Sequence, residues 1–243
     1  MRLAGIAQVL DFDPYNIEVT DKAQAHNIGE RVYDADRIFR YAVAGEALAA
    51  GYLTTEPTGN TSLTNMAVIS GAIGAKQINF TNAVTTTTAG YFDEGYVCVT
   101  YATGIGQTYK ISSMAALVSG ASSYVNLFDP IKVALDTTSK IDIVANPWNR
   151  VLHTGTITLL STGVPLVAVT ALGDYCWLQT RGVCAVFSDA TIAAGSRAME
   201  DGSVAGAVDI VAEANFITTP VVGTAYHIAA VQNYAHPIFL TID

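Results

Sequence analysis

The stretch GDYCWLQTRGVCAVF, Gly173 to Phe187, holds Cys176 and Cys184, two of the chain's three cysteines, and one of its two tryptophans. Two nearby thiols could bind a soft metal, exchange a disulfide or supply a nucleophile. The spacing argues against all three: no CxxC occurs, and no histidine lies within the stretch. A turn at Arg181-Gly182 would make the stretch a hairpin. Cys176 then lies opposite Phe187 and Leu178 opposite Ala185, with Tyr175, Trp177, Gln179, Cys184 and Val186 on the other face. In that register the thiols point to opposite sides of the sheet, so they can neither close a disulfide nor share a metal. They are expected to pack as small hydrophobes.

The four histidines, His26, His153, His227 and His236, form no HxH or HExxH pattern, so the sequence implies no metal site. Asp11 with Asp13, Asp34 with Asp36, and Asp93 with Glu94 are close acidic pairs. Their expected role is turn chemistry, because an Asp side chain accepts from nearby backbone N–H groups. A Ca²⁺ site at Asp93 and Glu94 is the weaker alternative. GIGQTY at Gly104–Tyr109 lacks the third glycine of a nucleotide loop and precedes a strand pattern. No GxSxG nucleophile elbow is present. Asn60-Thr61-Ser62 is a glycosylation triplet without a recognisable leader before it. No enzyme activity and no cofactor are expected from these residues.

The elements that must position these groups read as strands: short Val/Ile/Thr/Tyr runs punctuated by Gly, Asn and Asp. Arg31–Tyr33 and Arg37–Val43 form a pair turning at Asp34–Asp36, with Phe39, Tyr41 and Val43 on one face. KQINFTN, GYVCVTY, QTYKIS, IKVAL, KIDIVA and the closing PIFLTID are further strands. GTITLLSTGVPLVAVTAL is strand-like with a break at Gly163 and Pro165, and EALAAG (Glu46–Gly51) is expected to be a short helix with a left-handed glycine cap. The predicted fold is mostly β, an antiparallel sandwich or barrel with an extended N-terminal arm. The predicted divisions are an arm over 1–27, a β-rich domain over 28–162 and a hairpin-rich domain over 163–243.

Composition bounds the function. Of 243 residues, 51% are hydrophobic and only 14% charged, where about 25% charged is ordinary. No apolar run reaches the ~18 residues of a membrane span, so no membrane partner is expected. The low charge is expected to reflect surface covered in an assembly. A net charge of −9 with scattered Lys and Arg argues against nucleic acid. An odd, widely spaced set of three cysteines fits synthesis in a reducing cytoplasm.

Several segments together resemble the head decoration (cement) proteins of tailed bacteriophages and related phage structural proteins. They are HNIGERVYDADRIFRYAVAGEALAAGYL, FDEGYVCVTYATGIGQTYKIS, LFDPIKVALDTTSKIDIVANPW, GVPLVAVTALGDYCWLQTRGVCAVF and PVVGTAYHIAAVQNYAHPIFLTID. Asp36-Arg37 stands where a glycine-containing turn is common in that class, and Cys176 and Cys184 stand where small residues are usual. The resemblance implies a non-enzymatic virion protein made in the bacterial cytoplasm and bound to the outer capsid surface. Its partners would be the major capsid protein and copies of itself, as a homotrimer. The expected contacts are Phe12, Tyr15 and Ile17 in the arm, and Arg31, Arg37 and Arg40 facing acidic groups on the shell. An arm that is simply the first strand of the body, and arginines that are merely solvated, are the competing readings. A host-attachment or glycan-binding β module using exposed Tyr and Trp is the alternative function.

Overall fold

A computed structural model describes residues 17–57, 63–82, 86–157, 159–210, 219–227 and 232–243. The chain is almost entirely β, as the punctuated strand pattern predicts. No helix among the described residues is long and apolar enough to cross a membrane. The chain divides into two compact units, one of residues 1–57 with 148–243 (the host unit) and one of residues 58–147 (the inserted unit). The boundary expected between 162 and 163 therefore falls inside the host unit. The glycine and proline that suggested it serve close packing: a Cβ on Gly163, at φ 142°, would lie 2.8 Å from Leu178 Cβ.

The host unit begins with β1 (Arg31–Asp34), β2 (Arg37–Ala44) and the short β3 (Thr54–Thr55). β1 and β2 pair antiparallel from Arg31↔Arg40 to Asp34↔Arg37 around Ala35. Phe39, Tyr41 and Val43 share a core with Ile17, Ile28 and Trp177, so the two-residue period placed them correctly. The described part of the expected arm belongs to this body. Ile17 is buried, and Asp21 bridges to Tyr175 with both backbone bonds at 2.9 Å. EALAAG is not a helix. Leu48 makes an antiparallel bridge to Val169, with bonds of 2.8 Å in each direction. Six residues cannot repay helix nucleation, whereas this bridge buries Leu48 completely enough to leave 2% exposed. Gly51 does take the left-handed conformation, at φ 78°.

The inserted unit is a closed barrel of β4 (Met66–Ser70), β5 (Gln77–Thr81), β6 (Tyr96–Tyr101), β7 (Thr108–Met114), β8 (Ser122–Leu127) and β9 (Lys140–Val144), in the order β4-β5-β8-β7-β6-β9. Closure leaves no unpaired edge. Alternate residues point inward, so Ile78, Phe80, Val97, Val99, Ile111, Val125, Ile141 and Ile143 fill the interior. IKVAL is not a strand: after Pro130 only Leu135 bridges, to Gly71, where an added Cβ would meet Leu135 Cβ at 3.2 Å.

The host unit resumes with β10 (Asn149–Val151), β11 (Ser161–Pro165), β12 (Tyr175–Ser188), β13 (Arg197–Glu200), β14 (Val208–Ile210), β15 (Val221–Ala225) and β16 (Tyr234–Thr241). GDYCWLQTRGVCAVF does not turn at Arg181-Gly182. It runs on as one 14-residue strand. Arg181 pairs with Ile38 on one edge and Thr241 on the other, so nothing is left to fold back. Gly182 is needed for a bulge instead. The register against β2 slips between Gln179 and Arg181, and Gly182 sits at φ 88° with its missing Cβ 3.0 Å from Asp36 O. The buried Gln179 amide donates to the carbonyls of Arg181 and Val183 at 3.0 Å, satisfying the disrupted ladder.

Beyond the bulge, pairings β12–β14, β14–β13, β13–β15, β15–β16 and β16–β12 complete a circuit. Cys184, Val186, Ala198, Val208, Val222, Ala225, Ile238 and Leu240 fill it.

Phe80→Ala is expected to destabilise the inserted unit by about 3–5 kcal/mol, read as a lower denaturation midpoint. Gly223→Ala is expected to weaken the host unit, because the new Cβ would lie 2.3 Å from Phe239 O. Amide signals of the barrel should not respond to that second change.

Candidate functional site

The thiols settle first. Cys176 packs with Ala42, Leu48, Val151 and Leu178, whereas Cys184 packs with Val186, Ala198 and Leu240. Both are free, and burial pushes each thiol up to about 12. They are small hydrophobes in separate clusters, as expected, although on one continuous strand rather than on two arms of a hairpin. Among the described residues no group of three or more His, Cys, Asp or Glu side chains is arranged to hold a metal ion.

The histidines are dispersed. His153 Nε2 accepts from the Ala49 N–H and its Nδ1 lies 2.9 Å from Leu53 O, which assigns a neutral imidazole protonated at Nδ1. His26 pairs with Glu30 through Nδ1 at 3.2 Å and packs edge-on against Tyr41 and Trp177, each at 5.1 Å. It helps to line a shallow, open depression of about 330 Å³ with Gln24, Ala25, Asn27 and Glu30. Beneath His26, Tyr41 donates to Asp21 at 2.7 Å and stacks on Tyr175. Trp177 is 2% exposed, so the depression has polar walls and no aromatic platform.

The expected turn chemistry holds for Asp34, whereas Asp93 and Glu94 tie their loop to β7. Asp34 is paired with Arg37. Asp93 accepts from the Met114 N–H at 2.8 Å, and Glu94 lies 3.8 Å from Lys110. Asp11 and Asp13 lie outside the described residues.

The residues expected to contact a shell are mostly occupied within the chain. Phe12 and Tyr15 lie outside the described residues, and Ile17 is core. Arg40 clasps Asp243 with two bonds, Nε to Oδ2 at 2.7 Å and Nη2 to Oδ1 at 2.9 Å, while its guanidinium lies 4.8 Å over the Trp148 ring. Arg31 approaches the same carboxylate at 3.7 Å, and Arg181 donates to Asp243 O at 3.0 Å. The Arg40 bonds hold the Asp243 carboxyl below its ordinary range. Arg37 is taken by Asp34. These arginines therefore act within the chain; Arg37 meets Asp34 three positions away, whereas the role of Arg31 and Arg40 could not be read from spacing, because Asp243 is 203 positions from Arg40.

The surface shows what the motif search missed. On the outside of the host circuit, Val183, Ala185 and Phe187 of β12 lie beside Phe239, Pro237 and Ala235 of β16, followed by Thr224 on β15 and Tyr226 just after it. None of these eight side chains is charged. Val183 is 42% and Tyr226 60% exposed. Tyr52 stacks on Phe187 with ring centres 4.4 Å apart. The inserted barrel carries its own outward row: Val144, Tyr96, Lys110 and Phe128 are neighbours across β9, β6, β7 and the end of β8. There Lys110 lies 5.8 Å from the Phe128 ring centre. Two-residue alternation hides such a patch in a sequence, because outward apolar residues interleave with core ones.

No protein family, curated protein or solved structure matches this chain.

A thiol reagent applied to the native protein at pH 8 is expected to modify Cys98 alone, with Cys176 and Cys184 reacting only after denaturation. Arg40→Ala is expected to cost about 1–3 kcal/mol, the usual worth of bonds to a charged group. A depressed carboxyl stabilises above its unfolded range and loses that contribution as pH falls through its folded value. The wild type should therefore lose the Arg40 advantage on acidification, and the two proteins' midpoints should converge at low pH.

Proposed function

We propose that this chain is a non-enzymatic virion structural protein that decorates the outer surface of a phage head. It would bind the major capsid protein, bridge neighbouring capsomers and act as a homo-oligomer, a trimer in the simplest arrangement. The observation that carries this reading is the uncharged outward patch of Val183, Ala185, Phe187, Ala235, Pro237, Phe239, Thr224 and Tyr226, bordered by Arg181 and Arg197, with Val183 and Tyr226 well exposed. A face of that kind is stabilised by being covered. The internal pairing of Arg31, Arg37 and Arg40 moves the proposed contact from those charges to this face.

The mechanism is thermodynamic. A protein that binds only the assembled lattice stabilises it by mass action. An oligomer that touches several sites gains from effective concentration, so each contact can be modest. A net charge of −9 fits a protein kept away from the genome. Localisation would be the outer capsid surface, after synthesis in the host cytoplasm.

Saccharide binding at the depression beside Gln24, His26, Asn27 and Glu30 is the second reading, supported by its polar walls. His26 lies against Trp177, so an occupant there should change tryptophan fluorescence.

Undecorated heads mixed with the purified protein and imaged by electron microscopy should carry regular added density, and their melting temperature should rise. A Val183→Glu/Phe239→Glu variant should remain folded and bind at least about tenfold more weakly, the effect of burying unpaired charge. Unimpaired binding by that variant would remove the face from the mechanism. A monomer that ignores bare shells, or fluorescence that titrates with a saccharide, would favour the second reading.

A further inference from the structure

The host circuit closes at its weakest point on β14. That strand pairs with β13 at Ala198↔Ile210, Met199↔Asp209 and Glu200↔Val208, but with β12 at Ser188↔Val208 alone. Val208 thus lies between Glu200 and Ser188. An aspartate follows each residue of that row: Asp189 after Ser188, Asp201 after Glu200 and Asp209 after Val208.

Glu200 shares a face with the core residue Ala198 by the two-residue period. It is 2% exposed, and neither carboxyl oxygen has a hydrogen-bond partner. Asp189 Oδ1 is also buried without one. Asp201 accepts from the Val204 N–H and Asp209 from the Ile210 N–H, both at 2.6 Å. The other ionisable groups of the circuit are Arg181, held at Asp243 O; Arg197, exposed on β13; and Tyr234 and His236 on β16. The buried Cys184 thiol and His153, which sits behind Gly206, complete the set. None of these gives Glu200 a salt bridge, so its carboxylate would be an uncompensated charge in an apolar core.

We propose that Glu200 is a proton-operated latch on the β12–β14 seam. Neutral, the carboxyl lies in the core and the circuit is closed; ionised, it draws the β13–β14 ribbon into water. Burial, reinforced by Asp201, lifts the Glu200 carboxyl to about 8, and burial with Asp201 and Asp209 raises Asp189 as well. In the opened state the carboxyl returns to its ordinary acidic range. Opening therefore releases a proton, and it becomes easier with each pH unit up to about 8 and no easier above. Asp201 adds repulsion, and among the described residues no salt bridge to Glu200 relieves it. Proton release at this seam stands independently of any partner.

The test is amide hydrogen exchange on the full chain at pH 6.5 and 9.5. An amide that ties the ribbon to the rest of the host unit, Leu53 bonded to Gly206 O, is compared with barrel amides such as Ile111 bonded to Gly95 O; Asp201, bonded to Ala207 O inside the ribbon, should change less. Their ratio cancels the intrinsic rise of exchange with pH. The wild-type ratio should increase at least about tenfold over that interval, the consequence of a coupled proton. In Glu200→Gln, or in Glu200→Met if the amide does not fold, the ratio should stay flat. A flat wild-type ratio, or an equal rise in the variant, overturns the latch. Infrared spectra of the wild type supply a variant-free check: the neutral-carboxyl band should persist while seam exchange rises and fade near pH 8, where that rise levels off, and fading without a preceding rise also overturns the latch.

Discussion

The host unit depends on the double pairing of β12. One edge is taken by β2 and then β14, the other by β11 and then β16. A strand paired on both edges needs an uninterrupted ladder, because every buried N–H and C=O must find a partner. The single slip, between Gln179 and Arg181, is repaired by the Gln179 side chain and permitted by the left-handed Gly182. Through this strand the Phe39–Tyr41–Trp177 core and the Val186–Ile238–Leu240 core belong to one framework. The inserted unit reaches the same end differently: its barrel closes on itself and has no edge to protect.

A chain with few charges can place them where they act at short range. Arg40, Arg31 and Arg181 converge on Asp243; Arg37 takes Asp34; Lys22 takes Asp174. Beside Arg181, the outward residues Val183, Ala185, Phe187, Ala235, Pro237, Phe239 and Thr224 of β12, β16 and β15 form an uncharged patch. The proposed association would then draw on removing apolar area from water rather than on ion pairs, and so depend weakly on salt. Glu200 is the exception to this economy, a carboxyl placed where a hydrophobe would stabilise more.

Much of the local structure was legible. The Arg31–Val43 hairpin and the KQINFTN, GYVCVTY and KIDIVA strands follow from period and spacing, whereas Cys176 and Cys184 are buried as expected but in a register the hairpin reading had wrong. Three local rules failed where tertiary pairing outweighed them. Arg181-Gly182 has turn chemistry but both neighbours were already paired; EALAAG has helix propensity but Leu48 had Val169 to bridge; Gly163 and Pro165 suggest a linker but allow β11 to approach β12 closely.

Sequence alone determined the β class, the inward face of β2 and the scarcity of charge, because each depends on side-chain type at short range. Only the tertiary structure decided that residues 58–147 form an inserted barrel, that Arg40 meets Asp243, and that Glu200 lies unpartnered beside a one-pair seam. Those facts depend on contacts between positions far apart in the chain, and a two-residue period carries no information about which distant strand will supply the partner.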